Sequence, residues 1–318
     1  MKRINTSSKS KYLIVINLFL IFILMTISVY AWFASNVNNL VNINEIEVQA
    51  DNNLQLSLDG KNWSGSLSLD SLVNNMKFVE VTGNGDKFYI PKLEQFTNYA
   101  LVDTGAEFDD AIANVSYLEF DVYMRSEDAL NVHLSPESYA TPVSTIDMGE
   151  SCGNPATVKL ADGAENFSKD CIVGALRVSY EDANKNRQIW ITNPEYFLNN
   201  KMGSDVYSMS KNSDDYSGSD FEWSNPNIHY YYDGDKNLQT ISALTSIESF
   251  TANTKLATLT KGANVLPNNI EEESNYNYGK ATFKVWIEGC DTEARQALLG
   301  GKFSLSLALD SYTDNPVD

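Results

Sequence analysis

After residue 40 the apolar residues of this chain recur at every second position, and that period decides its fold class. Glu45-Ile46-Glu47-Val48-Gln49 alternates, as do Leu54, Leu56 and Leu58 with Gln55, Ser57 and Asp59. In VSYLEFDVYMRS, Leu118, Phe120, Val122 and Met124 share one face, with Glu119 and Asp121 on the other. Leu176, Val178 and Tyr180 continue the pattern, followed by Ile189 and Ile191, then Phe283, Val285 and Ile287, and finally Phe303, Leu305, Leu307 and Leu309. A strand with one apolar and one polar face belongs to an antiparallel sheet packed on a second layer. Several such strands separated by turn pairs such as Asp59-Gly60 predict an all-β, jelly-roll-like antiparallel β-sandwich.

Helix is sparse. Thr292–Leu299, with Asp291 as its cap and Gly300-Gly301 as its stop, is predicted helical between the last two strands. Asp70–Phe78 and Ile241–Phe250 are two further short candidates. The region from 193 to 280 is rich in Ser, Asn, Asp and Tyr and lacks a clean period. It reads as a long insertion between sheet strands, with one strand of its own at Ile228–Tyr232.

The N-terminus sets the compartment. Lys2, Arg3, Lys9 and Lys11 precede YLIVINLFLIFILMTISVYAWF, an apolar run from Tyr12 to Phe33. A basic flank followed by about 20 apolar residues is long enough to cross a bilayer, and the flank stays on the cytoplasmic side. Residues 1–35 are therefore expected to be a signal peptide or membrane anchor, and 36–318 an exported domain on the cell's outer face or beyond it. Val29-Tyr30-Ala31 places modest residues before a cut between Ala31 and Trp32, as signal peptidases prefer, whereas the length of the apolar run favours an uncut anchor.

Charge and cysteines follow from that placement. The whole chain has a formal charge of −19 and only two histidines, and all but four of its basic residues lie in the exported part. Such acidity excludes a nucleic-acid backbone as partner, because phosphates are held by clustered Lys and Arg. Outside the cell, a Cys152–Cys171 disulfide closing the loop GNPATVKLADGAENFSKD would stabilise the fold by about 3 kcal/mol. Cys290 is then left over.

Searches for chemistry return little. His133 and His229 stand 96 positions apart, with no HExxH, no GxSxG elbow, no GxGxxG and no P-loop, so no enzyme or nucleotide site is expected. Asp233, Asp235 and Asn237 alternate as at the start of a calcium loop. Leu238 and Leu244, however, occupy the positions where Gly and Glu are required, which favours a tight turn over weak calcium binding. Aromatic residues form the best binding-surface candidate: Trp190, Trp223 and Trp286 with Tyr230 and Tyr232. Trp190 and Trp286 fall on the strand faces opposite Ile189, Ile191, Val285 and Ile287. They form a contact patch for glycan or protein if those faces are open, and core if a second layer or the 193–280 insertion covers them.

The stretch SVYAWFASN, together with the ending WIEGCDTEARQALLGGKFSLSLALD, resembles Gram-positive exported proteins processed by SipW-type signal peptidases. That group includes the TasA and camelysin family of biofilm-matrix proteins. LQLSLDGKNWS, EFDVYMRS and IWITNPEYF are similar to phrases of a broader set of such proteins. The resemblance implies an exported jelly-roll-like sandwich with a matrix role and, for TasA-like members, polymerisation by strand donation. It does not imply an enzyme. A cut after Ala31 would free Trp32-Phe33-Ala34-Ser35-Asn36-Val37, an apolar tail that the open sheet edge of a neighbour could accept, unless the tail pairs with its own sheet.

Overall fold

The structure is a computed structural model, and it describes residues 42–313 apart from 144–172, 193–227, 290–301 and shorter stretches. In chain order its first strands are β1 (Asn42–Ala50), β2 (Gln55–Ser57), β3 (Ser66–Ser68), β4 (Glu80–Gly83), β5 (Phe88–Pro91), β6 (Phe96–Thr97), β7 (Ala100–Leu101), β8 (Phe108–Asp110) and β9 (Leu118–Ser126). Then come β10 (Asn131–Leu134), β11 (Tyr139–Val143), β12 (Leu176–Glu181), β13 (Arg187–Ile191), β14 (Ile228–Tyr232), β15 (Leu238–Ser242), β16 (Lys255–Thr258), β17 (Asn277–Glu288) and β18 (Lys302–Tyr312). Helix α1 is a single turn, Asp70–Val73.

Two sheets face each other, and the fold is an all-β sandwich. One sheet runs β16-β10-β18-β1-β3, with β11 also on β18; the other runs β13-β12-β17-β4-β5-β8, with β9 on β17 and β2 on β9. The period-two residues fill the space between them. Ile46, Val48, Phe303, Leu305, Leu307 and Leu309 come from the first sheet, and Leu118, Phe120, Val122, Phe283, Val285 and Leu176 from the second, all buried in one cluster. Phe120 and Phe283 stack with ring centroids 5.5 Å apart. Side chains of this size contribute about 1.5–3 kcal/mol each when fully buried, so this layer dominates stability.

Two strand pairs depart from the antiparallel expectation. β1 lies parallel to β18 from Asn42↔Lys302 to Ala50↔Leu309, and β4 lies parallel to β17. Alternation specifies which face is buried and is blind to strand direction.

The two short helix candidates are corrected. In the first, Asp70–Val73 is helical and Met76 is not, while 74, 75, 77 and 78 lie outside the described residues; Ser68 Oγ accepts a hydrogen bond from the Asp70 N–H at 3.3 Å. In the second, Ile241 and Ser242 end β15, and Leu244 then exchanges backbone hydrogen bonds of 2.8 Å with Ile189 and Ile191. The third candidate, Thr292–Leu299, lies outside the described residues.

Of the insertion expected over 193–280, residues 193–227 lie outside the described residues. Ile228–Tyr232 is the strand foreseen there, paired with β15 as a hairpin. β16 belongs to the first sheet through β10, and β17 begins at Asn277.

Candidate functional site

The outer face of the second sheet carries a second, smaller core. Along β17, Phe283, Val285 and Ile287 point into the sandwich, so Trp286 and Glu288 point away from it. Trp286 packs there with Val81, Phe88, Tyr117, Ile189, Ile191 and Ala243. The hairpin β14–β15 contributes to this layer through Ala243 and Ile241, and Tyr232 is tied to β4 by its N–H donating to Thr82 Oγ1 at 2.9 Å.

Three members of the expected aromatic platform are buried. Trp286 is fully buried, Trp190 is 3% exposed and Tyr232 is 2% exposed, so none of the three presents a surface to a ligand. Trp190 belongs to the main core, on the other side of its sheet from Trp286. Tyr230 has its backbone in β14, while its side chain and the whole of Trp223 lie outside the described residues, as do Ala31, Trp32, Phe33, Val37, Cys152, Cys171 and Cys290.

One buried polar cluster sits beneath the hairpin. His229 of β14 donates from Nε2 to the Gly83 carbonyl at 2.7 Å, and the same nitrogen lies 3.3 Å from Glu288 Oε2. Trp286 Nε1 donates to that carboxylate oxygen at 3.0 Å. The imidazole meets the Trp286 indole edge to face at 5.7 Å, and its other nitrogen, Nδ1, has no hydrogen-bond partner among the described residues. Arg177 of β12 is buried on the same sheet face, opposite Trp286 in register. A histidine beside a carboxylate is the geometry of an acid–base dyad, but a dyad must reach a reacting group. Here both side chains are at most 2% exposed and Nε2 is committed to a backbone carbonyl. The cluster fastens the hairpin to the sheet.

His133 is also buried. Its Nδ1 lies 3.1 Å from Thr254 Oγ1, and the rings of Phe250 and Tyr312 meet it edge to face. Burial first, and then the Lys255 ammonium, bring its pKa down to about 4.

Asp233, Asp235 and Asn237 form the turn between β14 and β15. Asp233 accepts the N–H groups of Asp235 and Asn237 at 3.0 and 2.9 Å and the Gln239 amide at 3.0 Å. The β12–β13 turn is built alike: Asp182 accepts the N–H groups of Asn184 and Asn186, both at 2.9 Å. Alternating oxygen side chains here serve Asx turns, in which the leading carboxylate is occupied by backbone donors. Among the described residues, no group of three or more His, Cys, Asp or Glu is placed to hold a metal ion.

Sequence reading missed two surface features. Arg125 is stacked between Trp63 and Tyr276, with its guanidinium carbon 4.4 and 4.2 Å from their centroids, and it is paired with Glu273 at 2.8 Å. A polar cleft of about 600 Å³ opens between the β12–β13 turn, β16 and the start of β17. Both bring together residues far apart in the chain, so no local pattern announces them. Comparison with known protein families, curated proteins and solved structures returns no match to this chain.

Among the described residues, no helix is long and apolar enough to cross a membrane; the apolar run from Tyr12 to Phe33 lies outside them.

Proposed function

We propose that the chain is an exported structural protein of the cell surface or biofilm matrix, cut after Ala31 and associating with further copies through strand pairing. The observation that carries this reading is the position of β1. It is the first described strand after the apolar run, and β18 lines one side of it over eight register pairs. On its other side, among the described residues, β3 pairs with Glu47, Val48 and Gln49, and Leu69 N donates to the Ile46 carbonyl at 2.9 Å. Among the described residues, Asn42–Glu45 at the start of β1 have no strand on that side, and exposed strand edges recruit further strands. Ten residues, 32–41, would precede β1 in the processed chain. Fully extended they reach about 33 Å, enough to cross to a neighbouring sandwich.

The anchored binding-module alternative keeps only Trp223 and the Tyr230 side chain, which lie outside the described residues, because Trp190, Trp286 and Tyr232 are core.

N-terminal sequencing of the protein from culture medium and from membranes tests the export step on which this reading depends. A chain in the medium beginning at Trp32 is expected. A full-length chain found only in membranes would keep residues 32–37 in the bilayer and overturn the proposal.

A further inference from the structure

The polar cleft lies where the edges of the two sheets meet. One wall is the β12–β13 turn with Asn184 and Gln188, and the opposite wall is Asn253, Lys255 and Thr260 on the segment through β16. The Tyr180 hydroxyl donates to the Asn253 carbonyl at 2.6 Å across the two layers, which fixes the walls relative to each other. The wall is also rigid at the turn, where Asp182 holds Asn184 N, Asn186 N and the Asn186 amide at 2.9 Å each.

We propose that this cleft binds a short neutral oligosaccharide. Its volume of about 600 Å³ falls within the range of roughly 300–1,000 Å³ typical of small-molecule sites. The polar groups that line it are mostly carboxamides and hydroxyls, which both donate and accept and so match sugar hydroxyls. The side chains of Asn184, Gln188, Asn253 and Thr260 make no hydrogen bond to any described residue, and each therefore keeps its capacity for a ligand. Ala252, Ala263 and Val265 also line it, small apolar surfaces suited to the C–H faces of a pyranose.

Charge selects a neutral ligand. Lys280 is paired with Asp121 at 2.7 Å, which leaves Asp182 and Lys255 to offset each other in the lining. The formal charge of −19 repels polyanions as well. This inference stands apart from strand-mediated assembly, since none of its residues lies on β1 or β18.

The test is titration calorimetry of the full chain with cellotetraose and with the β-1,4-linked tetramer of N-acetylglucosamine, using trigalacturonic acid as the charged comparison. Saturable binding of at least one neutral tetramer is expected, weakened about tenfold by Gln188→Ala and again by Asn184→Ala. Both side chains lie on a hairpin already held by Asp182, and an unchanged thermal midpoint will confirm that the variants are folded. Binding that survives both substitutions, binding of the acidic sugar alone, or no binding of either neutral tetramer would each overturn the assignment.

Discussion

Glu288 Oε2 lies 3.3 Å from His229 Nε2, and the pair joins the hairpin ending at Ser242 to the strand that begins at Asn277. Replacing His229 by Ala removes the 2.7 Å bond to the Gly83 carbonyl and leaves that acceptor and the carboxylate in a dry layer. A loss of about 2–4 kcal/mol is expected in urea unfolding, the cost of breaking a buried polar network. Proteolysis should then cut first near the β14–β15 turn. A loss below half a kcal/mol would show that the apolar contacts of Ala243 and Ile241 hold the hairpin unaided.

His133 makes stability depend on pH. Its imidazole titrates at about 6.5 when unfolded and about 4 when folded, so between these values the unfolded chain binds the extra proton. Stability contributed by the neutral ring is complete above pH 6.5 and falls as the pH drops towards 4. At about 1.4 kcal/mol per unit the loss approaches 3 kcal/mol. Lys255 favours the neutral form, while Asp310 and the Thr251 backbone oppose it. His133→Gln is expected to flatten this part of the profile in denaturant titrations from pH 4 to 7. Equal slopes for both proteins would refute the assignment.

Gly60 holds a φ of +73°, and a Cβ placed there would sit 2.9 Å from Pro267 Cδ. Gly60→Ala is expected to cost about 1–3 kcal/mol, from left-handed backbone and from contact with a stiff ring. Gly262 also has a positive φ, +66°, but open space around its Cβ position. Gly262→Ala should therefore cost less, about 1 kcal/mol. Thermal unfolding of the two variants side by side checks the order.

Arg125 is stacked between two aromatic rings while its guanidinium also bonds Gln55 and Glu273, each at 2.8 Å. Lysine keeps the charge but loses the planar stack and the fork of donors. Arg125→Lys is expected to lower stability by about 1 kcal/mol, read as a shift in the urea midpoint. No shift would mean that the stack is only surface decoration.

Much of the sandwich was legible from period two because its strands bury one face at a time. Leu118–Met124, Phe283–Ile287 and Phe303–Leu309 all lie where alternation put them. The Asp59-Gly60 pair marked its turn equally well: Asp59 accepts the N–H groups of Lys61 and Asn62. Ile241, Leu244 and Ile247 mimic a helical stripe, yet Leu244 is drawn into backbone pairing with β13, a long-range contact that overrides local spacing. Trp286 was placed on the correct strand face. What covers that face comes from residues more than 40 positions earlier in the chain, which no local pattern shows. The cleft depends on the same kind of distant juxtaposition, between Gln188 and Lys255.

Assembly of the processed protein tests the central claim most directly. Protein beginning at Trp32 is examined by sedimentation over a hundredfold range of concentration, alongside a form lacking residues 32–37. The account predicts oligomers or fibres that grow with concentration and disappear with the deletion. A monomer throughout, or assembly that the deletion leaves intact, would contradict it.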